Sequence, residues 1–374
     1  MNYALQTLWH ERSRFMPGIL AVAFSAVLIA LQCGLLLGLF SITSIPIDHT
    51  RADIWVGSPK VLSVDLGRPI PATHISRIGS DRRVKDTEAY FQSFASWTKP
   101  DGGSDLCVVI GSDLNDTCMG SISELTPAMR VLLTQPGSII VDQDELDRLG
   151  VKGLADKAEI NRQSVQIVGL VKGLRSLAGP YVFCSRETAK NLLRPVIPTD
   201  YLTYYLVKCH KEEDAPILVE EWKKEYPDMA VFTSKQFSLH SQLHWLTKTK
   251  AGVAIGYAAI LGLLVGMVVT SQTLYAATTA SAREYAILLA LGIPRWRISG
   301  TVLIQSFWVG IIGLFVAYPA VNGFAALAAL GGVNVLLPWW LLTGAAGVTM
   351  FMAMISGLLA LRSVRQIEPM TLLR

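Results

Sequence analysis

Three long stretches of this chain contain no Asp, Glu, Lys or Arg: Phe15–Ile47, Ala251–Ala282 and Ile298–Leu361. A membrane-spanning helix needs about 20 predominantly apolar residues. The first two stretches each hold one such helix. The third runs for 64 residues and holds two, broken near Gly331-Gly332-Val333-Asn334 and restarted around Pro338. The spans are expected at 16–41, 251–276, 299–326 and 338–361. Hydrophobic residues make up 51% of the chain and charged residues only 17%, on the membrane side of the soluble average. A net charge of +4 leaves no nucleic-acid footprint.

Orientation follows from the flanks. Outside 48–250 the chain carries eight basic residues, Arg12, Arg14, Arg283, Arg295, Arg297, Arg362, Arg365 and Arg374, against Glu11, Glu284 and Glu368. Those flanks sum to +5 and the long segment to −1. Short basic flanks stay in the cytoplasm. The termini (1–15 and 362–374) and the 277–298 loop are therefore expected inside, in a multi-pass protein of the inner (plasma) membrane. The 42–250 domain is expected outside. The first apolar run exceeds a signal-peptide core and lacks a small-x-small cleavage site, so it reads as a retained anchor.

The domain is long enough to bury its own core. Its ends read as two similar halves. Ala52–Gly57, a helix starting at Thr73–Ile78 and Lys85–Trp97 give strand–helix–strand. Tyr201–Cys209, a helix capped by Asp214 with Ile217, Leu218, Trp222 and Tyr226 near one face, and Met229–Phe232 repeat the pattern. Such halves predict a split βαβ, porter-like α+β part over 42–100 and 185–250. Between them, 101–184 reads as a β-rich insertion. Its strands are expected at Cys107–Ile110, Ser138–Val141, Ala158–Ile160 and Ser164–Val171, with a short helix at Gln143–Leu149 ending at Gly150. Cys107, Cys118, Cys184 and Cys209 face an oxidising space. They allow three pairings, and free buried thiols remain equally open.

Chemistry-bearing motifs are sparse. No phosphate-binding G-x-x-x-x-G-K-[ST] loop occurs, so any ATP is bound by a partner and no cofactor is assigned. His240 and His244 share a helical spacing but have no third metal ligand, and read as interfacial histidines. Asp142, Asp144, Glu145 and Asp147 read as an acidic first turn with a solvated face. No catalytic triad assembles, which disfavours a membrane-anchored enzyme. No charge lies inside a span, which argues against an ion-coupled carrier or channel.

Two patterns carry the functional reading. From Ser281 to Pro294 the cytoplasmic loop is a capped helix with Glu284 three residues after Ser281 and a Gly292/Pro294 stop. Ile287, Leu288 and Leu291 make it too apolar for a solvated turn, so it lies in the lipid interface or under another protein. The second pattern is G-x-x-x-G: Gly34/Gly38, Gly252/Gly256 and Gly262/Gly266. Small residues let helices approach closely in lipid, and these six glycines are candidates for a homodimer interface.

The segment REYAILLALGIPRWRI resembles the coupling-helix signature of the FtsX/MacB permease superfamily. Ser271-Gln272-Thr273-Leu274-Tyr275, Glu284-Tyr285-Ala286, the tail from Ile367-Glu368-Pro369 to Arg374, Ala52–Gly57 and Leu66–Pro71 resemble DevC-type permeases more closely. One position departs: Leu289 stands where relatives often carry Lys or Arg. The resemblance implies a homodimeric permease without its own ATPase site. Arg283, Glu284, Tyr285, Ala286, Ile287, Leu288, Leu291 and Gly292 would rest in a groove of a separate ABC ATPase subunit. It further implies a membrane-fusion adaptor, a TolC-like outer-membrane duct and lipid-like export cargo, glycolipid in DevC relatives. An FtsX-like regulator of an extracytoplasmic enzyme is the alternative.

Overall fold

The structure, a computed structural model, describes residues 12–176, 178–248, 250–280, 287, 291, 293–330 and 333–365. The chain divides into a helical unit, 1–38 with 250–374, and a second unit, 39–249.

The helical unit is built from α1 (Arg12–Ile42, whose last turn enters the second unit) and three later long helices, Lys250–Ala280, Arg295–Leu330 and Trp339–Arg365. Within them, Phe15–Ile42, Gly252–Thr273, Ser299–Leu330 and Trp339–Leu358 are long and apolar enough to cross a membrane. All four lie where the charge-free stretches place them. The break in the third stretch falls between Leu330 and Trp339. Pro319 is carried within a helix. Small apolar side chains join the first span to the third, Ala23 and Ala26 against Ala317. Val22 meets Val309 and Ala353.

The second unit begins with α2 (Ile45–Asp48) and β1 (Ile54–Gly57), followed by β2 (Ile70–Pro71), α3 (Ile75–Gly79), β3 (Val84–Thr98) and β4 (Ser104–Ser112). Next come α4 (Pro127–Leu132), β5 (Ser138–Asp142), α5 (Leu146–Leu149), β6 (Lys157–Ile160), β7 (Gln163–Val171), β8 (Tyr181–Ser185) and α6 (Arg186–Leu193). The unit closes with β9 (Tyr201–Leu202), β10 (Tyr204–Cys209), α7 (Asp214–Glu225), β11 (Ala230–Thr233) and α8 (Ser234–Lys248). The three later spans are α9 (Lys250–Ala280), α10 (Arg295–Leu330) and α11 (Trp339–Arg365).

One sheet edge runs β11-β1-β10-β3, all antiparallel. Hence β1 and β3 run the same way with β10 between them, and β10 and β11 do so around β1. The 15-residue β3 leaves this layer at its C-terminal half and pairs with β4 from Phe91 to Thr98. The pairings then pass β4–β8–β5–β7–β6, and β6 returns to β3 through Trp97 and Thr98. Six strands thereby close on themselves, leaving no free edge. A two-residue turn at Asn161-Arg162 joins β6 to β7, both at positive φ, the backbone a tight hairpin requires. Inside the ring, the buried Trp97 indole donates to Leu149 O at 2.9 Å.

Several local readings change. Glu213, not Asp214, stands at the cap of α7, and no side chain caps it. Ile217 is 53% exposed, while Ala215, Leu218, Val219 and Trp222 form the buried face. Asp142 is fully buried rather than solvated, accepting from Asp144 N and Leu174 N. A carboxylate that satisfies two backbone donors has reason to leave water. All five cysteines are free. Burial pushes the Cys107 thiol up to about 12, and the neutral thiol packs as a small hydrophobe.

Candidate functional site

The expected coupling helix is described at only two of its residues. Leu291 N donates to Ile287 O at 3.0 Å, one helical turn, and the side chains are 74% and 44% exposed. Arg283, Glu284, Tyr285, Ala286, Leu288 and Gly292 lie outside the described residues. Just downstream, Trp296 is 70% exposed, and the Arg297 guanidinium stacks 5.4 Å from its ring. A stacked Arg–Trp pair beside two bare apolar side chains is a surface suited to a protein partner.

Four of the six motif glycines meet their own chain. A Cβ at Gly34 would strike Val335 and Leu337, and one at Gly38 would strike the Asn334 carbonyl. Gly262 faces the Gln32 side chain, and Gly266 faces Ser25. Ser25 Oγ donates to Gly266 O at 3.0 Å and lies 2.9 Å from Thr270 Oγ1. These glycines let the 333–337 segment and α9 approach α1, as close packing in lipid requires. A Cβ at Gly256 would meet nothing. Gly252 is buried. Gly38→Ala is therefore expected to force the 334–335 backbone away, at about 1–3 kcal/mol. Thermal unfolding of the detergent-solubilised chain checks it, with Gly256→Ala as the neutral control.

His240 is committed within its own domain. Its Nε2 lies 3.1 Å from Val61 O and its ring stacks on Phe232 at 5.3 Å. Burial first, then His240 and Lys248, lower the pKa of His244.

Sequence reasoning missed a strap. Residues 113–126 connect β4 to α4 and are fastened at both ends. At the β3 end, buried Glu88 accepts from Asp113 N at 2.9 Å, Met119 N at 2.5 Å and Gly120 N at 3.0 Å. At the other end, Arg51 N donates to Met119 O and Ser123 N to His49 O, at 2.9 and 3.0 Å. His49 Nδ1 donates to Glu124 Oε1 at 2.5 Å. The strap thus ties the β10-paired half of β3 to residues 49–51, which follow α2. No motif announces it, because all but the His49–Glu124 bond involve a backbone group.

A second buried polar site lies beside it. Asp65 Oδ1 accepts from Gln92 Nε2 at 2.8 Å and from the Tyr181 hydroxyl at 3.3 Å. Trp55, edge-on to Tyr90 at 5.2 Å and to Tyr204 at 5.4 Å, walls it in. Burial lifts the Asp65 carboxyl to about 7, against the lowering effect of those two hydrogen bonds. Among the described residues no cluster of three or more His, Cys, Asp or Glu side chains could hold a metal ion.

Comparison with known proteins places the chain. It is similar to the uncharacterized ABC transporter permease YknZ of Bacillus subtilis (strain 168), 28% identical over 287 residues, covering 69% of this chain and 70% of that one. A solved periplasmic region of MacB from Actinobacillus actinomycetemcomitans covers 52% of this chain and 94% of its own, at 10% identity and a TM-score of 0.36. The extracellular domain of the ABC-type transporter YknZ from Gram-positive bacteria covers 48% and 99%, at 12% identity and a TM-score of 0.33. The family model described as FtsX-like permease C-terminal matches residues 256–369, the part that holds the last three spans. By that match, the C-terminal membrane part of this chain is similar to the FtsX-like permease family.

Proposed function

We propose that this chain is the permease subunit of an ABC-type export system in the inner membrane, with the 42–250 domain outside. A separate ATPase grips the cytoplasmic segment around Glu284–Leu291, and its ATP-driven closure moves the spans and, through them, the outer domain. The match over 256–369 carries this reading, because that stretch contains the cytoplasmic segment as well as three spans. The exposed Ile287, Leu291 and Trp296 support a protein-covered surface there. The absence of charge within the four spans supports helices that act as levers rather than as a polar path. We further propose a homodimer, a periplasmic adaptor with an outer-membrane duct of the TolC kind, and an amphiphilic, lipid-like cargo of the sort moved by DevC-type permeases.

Glu284→Lys or Leu288→Asp is expected to abolish co-purification of the ATPase subunit with the detergent-solubilised chain. Each change sets a charge against a surface shaped for the opposite sign or for an apolar side chain. Undiminished co-purification with both variants would sink the assignment.

A further inference from the structure

We propose that the loop 57–64 and α8 form a face that lies on the membrane surface and binds the phosphates of anionic lipid headgroups. The two segments are one structural piece. Val64 N donates to Ser241 Oγ at 3.1 Å, Trp245 Nε1 donates to Ser63 Oγ at 3.0 Å, and His240 reaches Val61 O. Neither segment contains Asp or Glu, whereas Lys60, Lys235 and Lys248 are all exposed. The nearby carboxylate of α2, Asp48, is occupied by Ser44 Oγ at 2.6 Å. Apolar side chains stand among the lysines: Leu62 is 49% exposed, Leu239 56% and Leu243 48%. A surface where three exposed lysines outnumber its one exposed carboxylate, Asp48, with leucines and a tryptophan, has the composition of an interfacial element.

Chain connectivity supplies the independent argument. Lys248 is four residues before Gly252, where the second apolar span begins. Four residues reach at most about 14 Å, so the base of α8 cannot leave the headgroup region. The loop holding Lys60 and Leu62 is bonded to α8 at Trp245, three residues before Lys248, and at Ser241, the helix midpoint. Each lysine near an anionic surface contributes attraction equivalent to about fivefold in occupancy, lost within a Debye length of the surface. The inference rests on the helices crossing a membrane and is independent of any ATPase.

The test uses the full chain in nanodiscs, with a nitroxide at Leu62→Cys or Leu243→Cys and a reference label at Val131→Cys, which is 68% exposed in the closed-strand part. Accessibility is read as relaxation by a headgroup-anchored nickel chelate against a water-soluble one. In discs containing phosphatidylglycerol, the labels at 62 and 243 are expected to respond to the anchored chelate and be shielded from the soluble one, unlike the label at 131. Replacing phosphatidylglycerol by phosphatidylcholine, or combining Lys60→Glu, Lys235→Glu and Lys248→Glu, is expected to reverse that preference. Labels that behave like the one at 131 in anionic discs would overturn the proposal. So would shielding that ignores lipid charge, or shielding accompanied by label–label coupling between two copies in either lipid. Lost ATPase co-purification with these results intact would count against the proposed function alone.

Discussion

Glu88→Ala is expected to cost about 3–5 kcal/mol and to release the strap from β3. Three backbone N–H groups would lose their acceptor, and two belong to buried residues, Met119 and Gly120. An orphaned buried donor costs about 1–3 kcal/mol, far more than the net worth of one hydrogen bond. Glu88→Gln separates packing from acceptance. Its amide oxygen can still serve Met119 and Gly120, but its NH₂ then faces the Asp113 N–H, donor against donor. An intermediate loss is expected. Hydrogen exchange of the full chain reads it directly: the amides of Asp113, Met119 and Gly120 lose protection in the alanine variant, while those of β1 and β10 keep theirs. Uniform loss across the domain, or no loss, would contradict this role. If the proposed ATPase moves the outer domain, the strap is a link within that domain between residues 49–51 and β3. The alanine variant should then bind the ATPase normally and fail to export.

What could be read from the sequence, and what could not, divides along this same strand. The spans were legible because exclusion of charge over about 20 residues has one common physical cause. The strand ends of the outer domain were legible from alternation and β-branched content. Within β3, however, alternation assigns Glu88 and Gln92 to a solvent face, and the structure buries both. Tyr90 lies between them on that same face, and residues 90–92 are buried on both sides of the sheet. A period of two reports which residues share a face, not whether that face is covered. The covering came from residues distant in sequence, the 58–68 loop and the 113–126 strap, and no local pattern encodes either. Residues 181–193 were missed for a related reason. Tyr181–Ser185 is a short strand, buried over its first four residues, and its last residue, Ser185, caps the next helix without a gap by accepting from Thr188 N at 3.2 Å. The glycine motifs were read as candidate dimer sites, yet Gly34, Gly38, Gly262 and Gly266 face partners within the chain.

The buried carboxyl of Asp65 is expected to make the stability of the outer domain fall as pH rises from about 4 to about 7. An unfolded aspartate titrates near 3.9, whereas the folded group titrates at about 7. Below the lower value both states hold the proton and the carboxyl imposes no penalty. Between the two values the unfolded chain ionises while the folded one stays protonated, so stability is lost progressively. Above the higher value the loss is complete, at about 4 kcal/mol for a shift of about three units. The cause is plain in the surroundings. Asp65 is 4% exposed, its Oδ1 has two donors, Gln92 and Tyr181, and among the described residues no cation is bonded to it. Tyr90 and Tyr204, also buried, are pushed up in turn by burial and then by the nearby carboxyls. Asp65→Asn keeps the shape and the Oδ1 acceptor and removes the titration. Its unfolding profile between pH 5 and pH 8 should be flatter than the parent's, and at pH 8 it should be the more stable of the two. The comparison needs thermal unfolding of both full chains in one detergent, with protection of the Val64–Leu66 amides as the local readout. Parallel profiles for parent and variant would mean that the carboxylate is accommodated in its ionised form. Burial favours the neutral form at Asp65 and outweighs the two hydrogen bonds, from Tyr181 and Gln92, that favour the charged one. An ionised Asp65 would place a full charge away from water, and a proton removes that charge at less cost than rearranging β3.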